Sequence, residues 1–161
     1  MFKKFLPTYK FDKLTSVGAD LFSGANLIIF DLDNTLVFSE TTKAPEEIIG
    51  WMAGIKNKYK CVCVSNSRTA RKRAQTVFDI FGIEIFLSNR KKPSQKLFKE
   101  VKERYGAEGL IFVVGDRIFT DILFGNLGGV KTVLIKPLSG EEWLSIKLLR
   151  LFENFIVSLI G

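Results

Sequence analysis

The sequence predicts an α/β domain of three layers, in which two layers of helices cover a mainly parallel five-stranded sheet. Short apolar runs rich in β-branched residues recur along the chain, and segments of helical periodicity separate most of them. These runs are nearly continuous in apolar residues, as in parallel strands that are buried on both faces. The 161 residues are enough for one domain with a core of its own.

The apolar runs predict five strands, at 26–32, 60–65, 83–87, 110–115 and 131–136. Segments in which apolar residues recur every three or four positions predict four helices, at about 45–58, 68–81, 93–105 and 119–127. Strands that alternate with helices form βαβ units, and such units join parallel strands. The sequence has no internal repeats or low-complexity tracts, so we expect residues 1–161 to form a single domain.

The chain carries a net charge of +7 and no histidine. A positive balance favours anionic partners such as phosphates, nucleic acid or acidic lipid surfaces, although a solvated basic face has the same charge. Because histidine is absent, acid–base chemistry near neutral pH requires a carboxylate, lysine, tyrosine or cysteine. The opening residues lack an apolar stretch long enough for a secretory signal, so we expect a cytoplasmic protein.

The two cysteines, Cys61 and Cys63, alternate within the predicted strand “KCVCVS” and therefore share one face. Residues this close in one strand are poorly placed for a disulfide. We predict buried structural thiols rather than a metal or redox site.

Polar residues with reactive side chains follow the predicted strands or precede a helix. They are Asp31, Asp33, Ser65, Asn66, Lys91, Lys92, Asp116 and Asp121. Open parallel sheets bind their ligands outside the carboxyl ends of the strands. These side chains therefore predict a functional site at one edge of the sheet.

The composition of this edge indicates phosphoryl transfer. Crowded carboxylates repel one another unless a cation joins them, and aspartate-rich oxygen sites suit Mg²⁺. One aspartate can then attack a phosphoryl group, while a second, two residues along, protonates the leaving oxygen and later activates water. Ser65, the backbone amides beside it and Lys92 would supply donors and positive charge to the transferring oxygens.

Four motifs in order resemble those of the haloacid dehalogenase (HAD) superfamily of phosphatases. They are “DLDNTL” at 31–36, “VSNS” at 64–67, “RKKP” at 90–93 and “GDRIFTD” at 115–121. The first motif alone would be weak support, whereas four with the right residue types, order and strand placement are specific. The resemblance implies a Rossmann-like HAD fold and an Mg²⁺-dependent hydrolase of phosphate monoesters.

The resemblance also implies catalytic and metal-binding roles for three aspartates and one threonine. Asp31 would be the nucleophile and Asp33 the general acid and base, with Thr35 in support. Asp116 would ligate Mg²⁺ together with Asp31 and the backbone carbonyl of Asp33.

Phosphate binding, by the same resemblance, would belong to Ser65, Asn66 and Lys92. Asp121 would orient Lys92 or a metal-bound water. The alternative, unrelated loop carboxylates and helix caps, does not account for four motifs in the family's order.

Many relatives carry a cap domain between the first and second motifs or between the second and third. Here these gaps, 37–63 and 68–90, are each long enough only for a loop, a helix and a strand. We therefore predict no cap domain. An open site suits a large or surface-bound substrate, which could be a protein, a nucleic acid or a lipid.

A narrower resemblance is to the YqeG family of HAD subfamily IIIA, over nearly the whole chain up to about residue 138. The residues that carry it are “FKKFLPTY”, “DLDNTLV”, “KKP” and “GDRIFTD”. That family is similar to the mitochondrial and plastid phosphatidylglycerophosphate phosphatases, which implies a lipid substrate and no specific nucleic-acid partner. Arg117 departs from the glutamine expected in many relatives, which we interpret as a change of specificity or surface.

The two ends of the chain suggest contact with an anionic membrane. In the N-terminal segment 1–25, apolar and aromatic residues interleave with lysines; they are Phe2, Phe5, Leu6, Tyr9 and Phe11, with Lys3, Lys4, Lys10 and Lys13. Residues 141–160 predict an amphipathic helix, too interrupted by charge to span a bilayer, that would bind the membrane, the core or a partner. A group of basic residues near the phosphate edge is either solvated or able to meet a head group: Arg68, Arg71, Lys72, Arg73, Arg90 and Lys91.

Three functions are therefore open. The first is phosphatidylglycerophosphate phosphatase at the inner face of the membrane, and the second is a soluble phosphatase for a nucleotide, sugar phosphate or phosphoprotein. The third is an idle phosphate-binding or assembly module, which the intact pair Asp31 and Asp33 disfavours. The sequence leaves the oligomeric state open.

Overall fold

The computed structural model describes residues 2–139, and the predicted amphipathic helix at 141–160 lies outside the described residues. The centre of the fold is a sheet of five strands, which are β1 (Tyr9–Phe11), β2 (Leu27–Phe30), β3 (Cys61–Cys63), β4 (Ile111–Gly115) and β5 (Lys131–Ile135). Their order is β1-β5-β4-β2-β3, and every pairing is parallel. The predicted α/β class is confirmed.

Helices connect these strands. They are α1 (Glu46–Lys56), α2 (Ala70–Phe81), α3 (Gln95–Tyr105) and α4 (Leu123–Leu127), with short 3₁₀ helices at Phe2–Phe5, Leu14–Ser16 and Ala19–Phe22. A π-helical turn at Ile118–Ile122 leads directly into α4, so the predicted helix at 119–127 is two segments of different winding. Among residues 2–139, no helix combines the length and the apolar character needed to cross a bilayer.

The alternation of side chains along β2 produces the three layers. Ile28 and Phe30 pack in the apolar cluster formed with α1 and α2. Leu27 and Ile29 pack in the cluster formed with α3 and α4. Because both faces of the strand are covered, all four residues are buried, as a continuous apolar run predicts.

The edge strands differ from the prediction. The run 83–87 is not a strand; Ile85 forms an isolated bridge with Cys63, the last residue of β3. The fifth strand is instead β1, where Tyr9 is in register with Val133 of β5 at the opposite edge. Its sequence, “YKF”, is too short to stand out as an apolar run.

The N-terminal segment is part of the domain core. Val17 and Phe22 are fully buried, and the Trp51 indole N–H donates to the Val17 carbonyl at 2.9 Å. Tyr9 and Phe11 pack against the same cluster. These two partly buried rings stabilise the sheet edge, and their contact with a membrane stays a prediction.

The cysteines of β3 are free thiols. Cys63 is buried in the cluster with α1 and α2, and the partly buried Cys61 packs against it. Burial raises the pKa of the Cys61 thiol to about 12 and also raises the pKa of Cys63. Both thiols are protonated at neutral pH, as the prediction of structural cysteines requires.

Within the described residues, neither gap between motifs holds a cap domain. The segment 37–63 contains α1 and β3, and the segment 68–90 contains α2 and the isolated bridge at Ile85. In the described part of the chain, the carboxyl edge of the sheet is therefore covered only by its own loops.

Candidate active site

The site lies where the strand order reverses, between β2 and β4. The chain passes from β2 to β3 on one side of the sheet and then crosses to β4 on the other, which opens a crevice at their carboxyl ends. The Asp31 N–H donates to the Val114 carbonyl at 2.9 Å and so extends the ladder by one residue. Asp31 is thereby set beside Gly115 and Asp116, which end β4.

Lys92 joins two of the predicted carboxylates. Its Nζ donates to Asp31 Oδ1 at 2.5 Å and to Asp121 Oδ1 at 2.7 Å, and the side chains of Lys92 and Asp121 are 2% and 1% exposed. Burial alone would lower the pKa of Lys92, but the two carboxylates outweigh it and raise that pKa. Lys92 is therefore a fixed positive charge in contact with Asp31.

Asn66 fixes the backbone of Lys92. Its Oδ1 accepts from the Lys92 N–H at 2.7 Å, and its Nδ2 donates to the Lys92 carbonyl at 2.9 Å. Both ends of the side-chain amide are thus engaged. Asn66 also lines the cavity, and its predicted phosphate-binding role stays a prediction.

Three carboxylates crowd together beside Lys92. One oxygen from each of Asp31, Asp116 and Asp121 lies within 4.8 Å of the others. Burial raises the pKa of Asp31 to about 7, an effect that Lys92 opposes, and raises the pKa of Asp116 to about 8, to which Asp121 and Asp31 add. Buried Asp116 Oδ1 has no hydrogen-bond partner among the described residues. This oxygen donor set, with one unused oxygen, fits a hard divalent cation.

The carboxylate of Asp33 lies outside this cluster. The Arg73 guanidinium binds it through two hydrogen bonds, Nη1 to Oδ1 at 2.8 Å and Nη2 to Oδ2 at 2.9 Å. The Glu40 N–H donates to Oδ1 at 2.7 Å. Partial burial favours the neutral carboxyl, but the hydrogen bonds from Arg73 and Glu40 outweigh it and lower the pKa of Asp33.

The loop after the first motif is tied down by the same residues. Arg73 Nη1 also donates to the Thr41 carbonyl at 2.7 Å. The Glu40 carboxylate accepts from Ser67 Oγ at 2.9 Å and from Thr69 Oγ1 at 2.8 Å. These contacts connect the first motif, the second motif and the start of α2 in one hydrogen-bonded network.

Asp121 is positioned by the close approach of its side chain to the backbone of Gly115. A Cβ added at Gly115 would lie 2.4 Å from Asp121 Cγ, so only glycine leaves room for this carboxylate. The π-helical turn directs Asp121 Oδ2 back to the Arg117 N–H, which donates to it at 3.1 Å. Asp121 is thereby held against Lys92.

The predicted residues surround one polar cavity of about 150 Å³. Its lining includes Asp31, Asp33, Ser65, Asn66 and Lys92, together with Arg117, Thr120 and Glu40. Asp116 and Asp121 are buried beside Asp31. Thr35 is buried outside the lining, and its hydroxyl has no partner among the described residues. The volume is sufficient for a phosphate group.

Sequence reasoning missed Glu40 and the role of Arg73. The signal for Arg73 was present, because the buried residues of α2 are Ala70, Arg73, Val77 and Phe81. An arginine on the apolar stripe of a helix requires a buried anionic partner. Glu40 has no comparable signal, since its role depends on a backbone conformation with φ of 57°.

Comparison with known proteins agrees with the resemblance seen in the sequence. The model of the family described as mitochondrial PGP phosphatase matches residues 2–139. Probable phosphatase YqeG of Bacillus subtilis is 32% identical over 133 residues, which cover 81% of this chain and 76% of that protein. No solved structure is significantly similar to the chain.

Two plant-lineage relatives are longer proteins. Phosphatidylglycerophosphate phosphatase 1 of Arabidopsis thaliana, chloroplastic and mitochondrial, is 32% identical over 130 residues, covering 71% of this chain and 35% of that protein. The chloroplastic enzyme of the same name from Chlamydomonas reinhardtii is 30% identical over 147 residues, covering 84% of this chain and 54% of that protein. The chain is therefore a phosphatase of the mitochondrial PGP phosphatase family.

Proposed function

We propose that this phosphatase hydrolyses the monoester of phosphatidylglycerophosphate through an aspartyl-phosphate on Asp31, with Mg²⁺ as cofactor. The observation that carries the proposal is the convergence of Asp31, Asp33, Ser65 and Lys92 on one small polar cavity in a chain of this family. The substrate named for the plant-lineage relatives supports the choice of lipid.

In the first step, a carboxylate oxygen of Asp31 attacks phosphorus and the bond from phosphorus to the glycerol oxygen breaks. Asp33 gives its proton to that leaving oxygen, which departs as the hydroxyl of phosphatidylglycerol. Lys92, in contact with Asp31, offsets negative charge on the phosphoryl oxygens.

In the second step, Asp33 takes a proton from water, whose oxygen attacks phosphorus and releases phosphate from Asp31. The ion pair with Arg73 keeps Asp33 charged, which suits the acceptance of this proton. The same pair must loosen when Asp33 carries a proton to the leaving oxygen. Arg73 therefore favours the base form of Asp33 over its acid form.

Asp31, Asp116 and the backbone carbonyl of Asp33 would hold Mg²⁺, and the orphan Oδ1 of Asp116 is an available ligand. Bound there, Mg²⁺ would neutralise the carboxylate cluster and polarise the phosphoryl oxygens. Chelation by EDTA should abolish hydrolysis, and added Mg²⁺ should restore it. Full activity in EDTA would contradict this part of the proposal.

The open cavity permits a lipid substrate, because a phosphate group can enter it while the rest of the ester stays outside. Its volume is about 150 Å³, and the described residues include no cap to enclose a larger molecule. A monoester presented at a bilayer surface can enter without extraction of the lipid. We propose action at the cytoplasmic, inner face of the membrane, with peripheral contact and no specific nucleic-acid partner.

The test is a comparison of substrates with the purified protein and Mg²⁺. Phosphatidylglycerophosphate in detergent mixed micelles is measured beside nucleoside monophosphates, sugar phosphates and a phosphopeptide. We expect kcat/KM for the lipid to exceed that for every soluble ester by at least about tenfold. A value no higher than that of the best soluble ester would replace the lipid with the soluble alternative.

A further inference from the structure

One large exposed apolar side chain lies beside the catalytic cavity, and another lies in the N-terminal segment that contacts it. Phe119 is 41% exposed and stands between Arg117 and Thr120, both of which line the cavity. Leu6, 54% exposed, follows Phe5 in the N-terminal segment. Exposed apolar groups next to a site commonly mark an interaction surface.

The outward position of Phe119 follows from the π-helical turn. Its neighbours Ile118, Asp121 and Ile122 are buried, so Phe119 occupies the face of the turn that the core leaves uncovered. The Phe5 ring meets the Phe119 ring edge-on, with centroids 5.6 Å apart. Phe119 is therefore supported from the side while its face stays accessible.

The segment that carries Leu6 is fastened to the same region. Asn126 Nδ2 donates to the carbonyls of Lys4 and Leu6 at 2.7 and 2.9 Å. Phe5 packs against a small buried cluster that includes Ile118. Lys3 and Lys4 are exposed on this same segment, whose Phe5 contacts Phe119.

We propose that Lys3, Lys4, Leu6, Arg117 and Phe119 form a docking surface for an anionic lipid bilayer. This inference rests on the proposed lipid substrate and names the residues that bring the enzyme to it. Arg117 is exposed, and the stretches 2–6 and 117–120 contain no acidic residue. Three cations around two apolar side chains match an anionic interface better than a neutral or cationic one.

The docking surface sets the height of the cavity above the membrane. Leu6 and Phe119 would enter the boundary between head groups and acyl chains, while the lysines contact lipid phosphates. Because Arg117 and Thr120 belong to the cavity lining, this placement brings the cavity to the level of the head groups. A phosphate monoester can then reach Asp31 from the bilayer.

Binding is tested by sedimentation with vesicles of phosphatidylcholine, with or without phosphatidylglycerol. The full chain should sediment with the anionic vesicles and remain free of the neutral ones. Leu6→Ser and Phe119→Ser should each weaken this binding about fivefold or more, and Lys3→Glu with Lys4→Glu should weaken it about fivefold per lysine. If Phe119→Ser fails to fold, the Leu6 and lysine variants still decide the result.

Residues suitable as matched controls lie near the amino ends of the strands, away from the cavity at the carboxyl ends. Phe78, 50% exposed in the last turn of α2, and Lys58, exposed just after α1, are far from the cavity because the helices run antiparallel to the strands. Phe78→Ser and Lys58→Glu should bind anionic vesicles as the unmodified chain does. Equal losses in these controls, or no loss in the surface variants, would overturn the docking surface.

Activity assays distinguish a failure of the docking surface from a failure of the proposed function. Leu6→Ser and the double lysine variant should hydrolyse a soluble aryl phosphate at the unmodified rate but act more slowly on phosphatidylglycerophosphate in vesicles. If the chain prefers the lipid in mixed micelles while the variants match it on vesicles, the substrate stands and the docking surface is wrong. If the lipid is not preferred in micelles, the proposed function is wrong whatever the variants do.

Discussion

Asp31 and Asp33 are two residues apart at the end of one strand, yet their surroundings are opposite. Asp31 belongs to a cluster of three carboxylates, two of which bind Lys92, and burial raises its pKa to about 7. Asp33 has an arginine of its own, bound through both carboxylate oxygens, and its pKa is lowered despite partial burial.

The difference shows how one short motif supports two chemical roles. The negative charge around Asp31 is not fully balanced by cationic side chains of the protein. That part of the site can therefore accept a cation and a phosphoryl group. The charge around Asp33 is already balanced by Arg73, so its carboxylate is held in place and its base form is favoured. Lys92 precedes α3 and Arg73 lies in α2, which means that helices from opposite layers of the fold create the two environments.

The largest expected effect comes from replacing Asp31, the proposed nucleophile, in the cluster whose charge is not fully balanced. Asp31→Asn should lower kcat for an aryl phosphate by at least about a thousandfold, because the amide cannot form the covalent intermediate. Circular dichroism and Tm should show a folded protein. Retention of more than about a tenth of the original kcat would rule out Asp31 as the nucleophile.

The next largest effect should come from replacing Arg73, which balances the charge of Asp33. Arg73→Ala should lower kcat about a hundredfold and destabilise the fold by about 2–3 kcal/mol, because it leaves Asp33 unpaired and frees the Thr41 loop. KM should change little, since Arg73 does not line the cavity. Arg73→Lys should recover part of kcat, while exposed Arg71→Ala on the same helix is the control. A kcat within about twofold of the original would show that the pair is dispensable.

A smaller effect is expected from a change beside Asp31 that leaves Asp33 untouched. Gly115→Ala should push Asp121 away from Lys92, which would lower kcat about tenfold and cost about 1–3 kcal/mol of stability. Gly54→Ala is the control, because a Cβ there meets no atom within 4 Å. Equal activity and stability in the two variants would show that the approach of Asp121 to Gly115 is unimportant.

The smallest effect, a few degrees in Tm, should come from Asp116→Asn. Its sign should be unusual, because replacing this buried polar residue should raise Tm at pH 8 in EDTA. The raised pKa of Asp116, about 8, means that the folded state holds a proton that the unfolded state has lost. In EDTA, this stability is present below about pH 4 and is lost as pH rises through about 8. Asp116→Asn should therefore have the higher Tm of the two proteins at pH 8 in EDTA, and a shallower decline with pH.

Added Mg²⁺ should reverse that order. It should raise the Tm of the original protein at pH 8 more than that of Asp116→Asn, because the variant lacks one carboxylate ligand. A lower Tm for the variant in EDTA at pH 8 would contradict the account of unbalanced charge around Asp31.

Sequence patterns predicted the central part of the fold and missed its edges. The buried strands β2 and β4 gave continuous apolar runs because helices cover both their faces. β1 is three residues long and contains a lysine, so its pairing with β5 depends on tertiary contacts that no local pattern records. The run 83–87 has an apolar pattern but finds only one bridging partner.

The site was predicted to the extent that its residues belong to motifs. The motif residues Asp31, Ser65 and Lys92 do line one cavity. The partner of Asp33 was misread, because Arg73 lies in a run of basic residues that looks solvated. Arg73 is buried because α2 turns that position toward Asp33 of the first motif.

The most direct test of the difference between the two aspartates is the position of the covalent intermediate. Borohydride reduces an acyl phosphate to an alcohol, so an aspartyl-phosphate trapped during turnover leaves homoserine at its position. Peptide mass spectrometry of enzyme quenched with substrate and Mg²⁺ should find homoserine at position 31 and at neither 33 nor 116. Homoserine at position 33, or an enzyme that turns over substrate without any such residue, would contradict the assignment of Asp31 as nucleophile.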